Sequence, residues 1–109
     1  MSAELPTAIR AFVEATNAAD TDAFLAAFAP DATLDDWGRV FRGADGIAAW
    51  NRTDNIGVQA HFDVVEHAPG AEDGTHVVTL RVSGNGYNGT GPMTFTVRDG
   101  RIVSLVIAP

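Results

Sequence analysis

Residues 58–67, VQAHFDVVEH, mark the point at which the hydrophobic pattern of the chain changes its period. Ala60, Phe62 and Val64 alternate with Gln59, His61 and Asp63, the pattern of a strand that buries one face. The residues after it read as a strand meander. PGAEDG (69–74) is a turn, THVVTLRVS (75–83) a second strand, and GNGYNGTG (84–91) a glycine-rich connection. PMTFTV (92–97) is a third strand, and the tight turn at Asp99-Gly100 leads into RIVSLVI (101–107), the last.

The chain before residue 58 is mostly helical. LPTAIRAFVEATNAAD (5–20) sets Leu5, Ile9, Phe12, Val13 and Thr16 near a three-four spacing, with Pro6 tolerated in the first turn. TDAFLAAFA (21–29) predicts a second helix, capped by Asp20 or Thr21, stopped by Pro30, and burying Phe24, Leu25 and Phe28. The short join predicts a helical hairpin. GADGIAAWNRTD (43–54) suggests a third helix, with Ile47 and Trp50 three apart. Helices followed by a meander predict one α+β domain over residues 1–109, with a curved antiparallel sheet wrapping the helices.

Composition narrows the function. Apolar residues make up 46% of the 109, enough for a core. Fourteen acids against seven bases leave a net charge of −7, which argues against nucleic acid or an anionic membrane surface as partner. There is no cysteine, which excludes disulfides, thiolate catalysis and cysteine-bound zinc. No stretch approaches the roughly 20 apolar residues of a membrane span. MSAELPTAIR lacks the basic start and apolar run of a signal peptide, so a cytoplasmic location is the expectation.

ATLDDWGRVFRG (32–43) raises the functional question. It reads as a strand, or two short strands, over 32–42. Neighbouring side chains of a strand point to opposite faces, so Asp35 and Asp36 cannot share an environment. Leu34 prefers the core, which turns Asp36 inward and Asp35 outward; a single bulge would reverse this. An inward carboxylate is costly unless it is paired, hydrogen-bonded or reached by water. The large residues available around it are Trp37, Trp50 and Phe12. Such walls disfavour the charged form, as suits a general acid or base working near neutral pH. The structural alternative is an Asp36 bonded to backbone amides or paired with Arg39 or Arg42.

The run AFVEATNAADTDAFLAAFAPDATLDDWG (11–38), the RG…GI entry to the third helix and the closing DGRIVSL (99–105) resemble the SnoaL-like polyketide cyclases and ketosteroid isomerases of the nuclear-transport-factor-2-like superfamily. The resemblance implies a cone-shaped α+β barrel with a deep apolar pocket at its open end. It also implies a homodimer through the sheet and a small apolar molecule, such as a carbonyl or polyketide-like compound, as partner. Members abstract protons next to carbonyls, cyclise, dehydrate or open epoxides; others only bind or act as scaffolds. By this resemblance Asp36 matches the isomerases' general base. Phe12 and Met93 match the tyrosine and aspartic acid that hold the enolate oxygen, and neither can donate a hydrogen bond. Losing one such donor costs roughly a hundred- to a thousandfold in rate. True ketosteroid isomerisation is therefore not expected; cyclase or dehydratase chemistry with other donors stays open, as does a non-catalytic binding or dimeric scaffold module of the same fold.

His61, His67 and His76 are the only histidines and form no HExxH, so no metal is expected, and no motif calls for an organic cofactor. By alternation His61 faces out with Gln59 and Asp63; a strand bend would turn it into the pocket as a proton shuttle. His76 shares a face with Val78 and Leu80, at a pocket rim, and His67 reads as solvated. Trp37 and Trp50 are either ligand-stacking or ordinary aromatics. Met93 and Phe95, with Leu105 on the last strand, face inward and are candidates to line the pocket. Tyr87 either closes over the mouth or is an exposed hairpin residue.

Overall fold

The computed structural model describes residues 5–108. Helix α1 (Thr7–Ala18) buries Ala8, Ile9, Phe12, Val13, Ala15 and Thr16 along one stripe. It ends at Ala19, which takes a left-handed conformation with φ 57°. The Asp20 N–H then closes on the Ala15 carbonyl at 2.8 Å, the ordinary way to satisfy the last turn. Asp20 caps α2 (Thr21–Ala26), its carboxylate accepting the Ala23 N–H at 3.1 Å.

The second helix is shorter than its sequence pattern suggests. It stops at Ala26, and strand β1 (Phe28–Asp36) already contains Pro30. The Ala27 carbonyl accepts the Ile102 N–H at 2.9 Å, and Phe28 pairs with Ile102. Between Phe28 and Thr33 the register shifts. An irregular stretch of that kind is where a strand tolerates proline. Phe28 is buried all the same, against β6 rather than from a helix.

Strand β2 (Arg39–Arg42) returns from β1, and α3 (Gly43–Asp54) comes next, as expected. A 3-10 turn (Ile56–Val58) and a left-handed Gln59 delay β3 to His61–Pro69. Strands β4 (Thr75–Ser83), β5 (Gly89–Arg98) and β6 (Arg101–Ile107) complete the meander. The six strands form one curved, open sheet in the order β2-β1-β6-β5-β4-β3. Antiparallel pairing holds throughout except between β1 and β6, which run parallel because the rest of the chain crosses between them. Val64, expected inward, is 43% exposed: it lies on the edge strand, just before a register shift at Val64/Glu66.

Phe12 is the hub of the core. Its ring lies 5.2–6.0 Å from those of Phe24, Phe28, Phe62 and Phe95. Two polar ties fix the helices around it. The Asn17 side chain clamps the Phe62 backbone, accepting its N–H at 2.7 Å and donating to its carbonyl at 2.9 Å. Buried Asn55 donates to Thr16 at 3.0 Å and to Asn51 at 2.9 Å, linking α1 to the end of α3. Among the described residues, no helix is long and apolar enough to cross a membrane.

Candidate functional site

The β1–β2 turn, the end of α3, the 3-10 turn and the β4–β5 connection surround a cavity of about 550 Å³. Its lining includes the polar residues Asp36, Arg39, Thr53, Asp54 and Asn55 and the apolar residues Phe62, Val82, Pro92, Met93 and Ile107. A size and lining of this kind suit a small organic molecule.

Asp36 owes its position to the alternation of β1. Leu34 is completely buried, and Asp36, two residues on, lines the cavity with its side chain 16% exposed. Asp35 turns the other way, and its carboxylate accepts the Gly38 N–H at 2.8 Å. Trp37 and Gly38 form the two-residue turn with φ 55° and 91°, the pair of positive values that a tight hairpin requires. That turn brings Arg39 opposite Asp36.

Two donors meet on one oxygen of Asp36. The Trp50 indole N–H donates to Oδ2 at 3.0 Å and an Arg39 Nη at 2.8 Å; neither bond engages Oδ1. The same Arg39 nitrogen reaches Asp54 at 3.2 Å. The hydrogen bond and charge of Asp54, with a smaller contribution from Asp36, hold the Arg39 guanidinium above its usual pKa. Trp50 stacks on Phe24, with ring centroids 6.2 Å apart, and is buried. It is at once a wall and a donor.

The cavity gathers four of the expected residues: Asp36, Trp37, Trp50 and Met93. Phe12, Phe95 and Leu105 lie behind its wall, completely buried in the core. His61 follows the alternation outward, half-exposed, with Nε2 3.4 Å from Asp63. His76 sits on the concave face at the far end of β4, where it pairs across to Pro69 and Phe95. His67, expected in solvent, is half-buried beside it, with Nε2 3.1 Å from His76 Nδ1. Burial and the neighbouring His67 push the His76 pKa below its usual value. Among the described residues, no three His, Asp or Glu are grouped to hold a metal ion.

Sequence reasoning missed Thr53, Asp54 and Asn55. The first two stand three and four positions after Trp50, on the same helix face, so helical spacing could have found them. Val58 and Gly86 reach the cavity through loop geometry, for which a linear pattern holds no signal.

The arrangement offers a carboxylate with one unengaged oxygen beside an apolar wall. Such a group can accept a proton from a carbon acid or hold a hydroxyl. Neither Phe12 nor Met93 supplies a donor for a developing enolate; Arg39 is the charged donor in the same wall.

Known proteins share this fold. A search of curated proteins finds no match to the sequence. Among solved structures, a candidate polyketide cyclase from Sinorhizobium meliloti is 30% identical, with 94% of each chain covered and a TM-score of 0.83. A Δ5-3-ketosteroid isomerase from Mycobacterium sp. is 21% identical, over 91% of this chain and 87% of that one, with a TM-score of 0.77. A Mycobacterium tuberculosis protein in complex with estradiol-17β-hemisuccinate is 18% identical, over 91% and 88%, with a TM-score of 0.78. The last two likenesses concern the fold alone. The family model for the SnoaL-like domain matches residues 9–105, and the chain belongs to that family.

Proposed function

We propose that this protein is a small-molecule enzyme in which Asp36 moves a proton on an apolar carbonyl or polyketide-like substrate, in an isomerisation, cyclisation or dehydration. The observation that carries the reading is the Asp36 carboxylate on the wall of a largely apolar cavity, with both its donors on Oδ2. Oδ1 is then the oxygen for the substrate C–H, and Trp50 and Arg39 keep the carboxylate aimed. The apolar lining, with Met93 and Ile107, holds the carbon skeleton. Ketosteroid isomerisation itself is disfavoured, because Phe12 and Met93 cannot hold an enolate oxygen. The steroid ester carried by the Mycobacterium tuberculosis neighbour supports a small apolar ligand. His61, out on the convex face, takes no part.

The test is the Asp36→Asn variant. It should keep the fold, as read by circular dichroism, and lose proton exchange next to a bound ketone's carbonyl. Unchanged exchange removes Asp36 from the mechanism.

One observation favours a second reading. Arg39 at 2.8 Å makes Asp36 half of an ion pair, as a non-catalytic binding module or dimeric scaffold of the same fold would have it. A homodimer through the sheet would cover Val40 and Val106, which are exposed and flank Asp35 on its two neighbouring strands. In that case ketones bind without exchange. A cytoplasmic location fits either reading.

A further inference from the structure

Phe12, Phe24, Phe28, Phe62, Phe95 and Trp50 pack ring against ring inside the molecule. Trp37 and Tyr87 do not share that pattern. They are 58% and 60% exposed, yet both line the cavity, from two separate loops. A large aromatic left in water at a cavity mouth gains nothing for the core.

Both loops hold their aromatic residue at a cost to local freedom. Trp37 takes φ 55°, a conformation that a bulky side chain adopts rarely and that asparagine or glycine fills without strain. Its position is fixed on both sides: the Trp37 N–H donates to the Ile107 carbonyl at 2.9 Å, and Asp35 holds the next N–H. The loop carrying Tyr87 is braced from within. The Asn88 amide donates to the Gly84 and Gly86 carbonyls at 2.9 and 3.1 Å, and the Asn85 N–H donates to the Val58 carbonyl at 2.8 Å. A Cβ at Gly86 would come within 2.9 Å of Val58, and one at Gly89 within 2.8 Å of the Tyr87 ring carbon Cζ. Gly89 is the space into which the phenol ring lies back. Exposed side chains on rigidly held loops are a common design for recognition.

We propose that Trp37 and Tyr87 are specificity-determining residues, two flat faces at the cavity mouth that select planar, unsaturated ring systems over puckered saturated ones. The proposal rests on the reading of the cavity as a ligand site. It assigns shape selection to the mouth and proton chemistry to Asp36 deeper in. The strained backbone of Trp37 is then retained for the ring it presents.

Two probes of equal skeleton separate shape from hydrophobicity: 2-naphthol, which is flat, and trans-2-decalol, which is puckered. Their dissociation constants are measured by calorimetry for the native protein and for Trp37→Asn, Tyr87→Leu and Gly89→Ala. Native protein should prefer 2-naphthol, and each variant should weaken that binding by about three- to tenfold, with less than a twofold change for trans-2-decalol. Trp37→Asn should meanwhile melt no lower than the native protein, since asparagine suits the turn. Equal native affinity for the two probes, or variants that leave 2-naphthol binding unchanged, overturns the stacking proposal and leaves the cavity reading standing. Binding of neither probe at millimolar concentration overturns the cavity reading and the proposal with it. A Trp37→Asn protein that melts well below the native one shows a residue kept for the fold and overturns its assignment.

Discussion

The indole N–H of Trp50 donates to Oδ2 of Asp36 across 3.0 Å, joining α3 to the last residue of β1. The bond ties the chemistry of the cavity to the core, because the same indole stacks on buried Phe24. The aim of the carboxylate therefore depends on core packing.

Trp50→Phe separates these roles. Phenylalanine keeps a ring against Phe24 and removes the donor. Hydrogen bonds to charged groups contribute about 1.5–3 kcal/mol, and the partial exposure of Asp36 places the expected loss near the lower end. Urea unfolding measures it. Ketone exchange should fall with it, since Asp36 is then held by Arg39 alone. Unchanged stability and exchange would mean that the bond aims nothing.

Asn17→Ala tests the clamp between α1 and β3. The substitution strips partners from both the N–H and the carbonyl of Phe62, a buried residue. Unpaired buried polar groups cost about 1–3 kcal/mol each; both bonds are only partly buried and Asn17 is exposed, so a total loss of about 2 kcal/mol, at the low end, is expected in urea unfolding. A loss under about 0.5 kcal/mol would show that water replaces the amide.

His76 sets a pH dependence of stability. Its folded-state pKa lies below the ordinary value of 6.5, first from burial and then from His67. Below about pH 6.5 the unfolded chain therefore binds more protons at this site than the folded one, and stability rises with pH through that window. The contribution is fully present above about 6.5 and is lost as the pH falls through the lowered folded-state value. His76→Gln should flatten this part of the stability profile, as followed by thermal melts between pH 5 and 8. A variant with the native slope would place the proton uptake elsewhere.

Much of the site comes from residue alternation alone. Leu34 in the core dictates that Asp36 faces inward, and of the two arginines the sequence offered as its partner, Arg39 is the one that stands opposite and pairs with it. The sheet was legible where period two is unbroken, as in β4; in β6 the register with β5 shifts, and Ile102 and Leu105, three apart, are both completely buried. It was not where packing overrides a local signal. Pro30 is a helix stop by composition, yet it sits in β1 because Phe28 is captured by Ile102. Phe95 and Leu105 are inward by alternation, but alternation does not tell a cavity wall from the core behind it. The depth of the cavity depends on how far α1 and α3 fill the sheet, which is a tertiary quantity.

The central claim is that Asp36 takes a proton from carbon in this cavity. The direct measurement is deuterium uptake from D2O at the α-carbons of 2-tetralone, followed by proton NMR, with native protein and Asp36→Asn compared at equal concentration. Positioned general-base catalysis contributes about a hundred- to ten-thousandfold, so native protein should exceed the variant by at least a hundredfold. Equal uptake by the two, with 2-tetralone shown to be bound, would contradict the account.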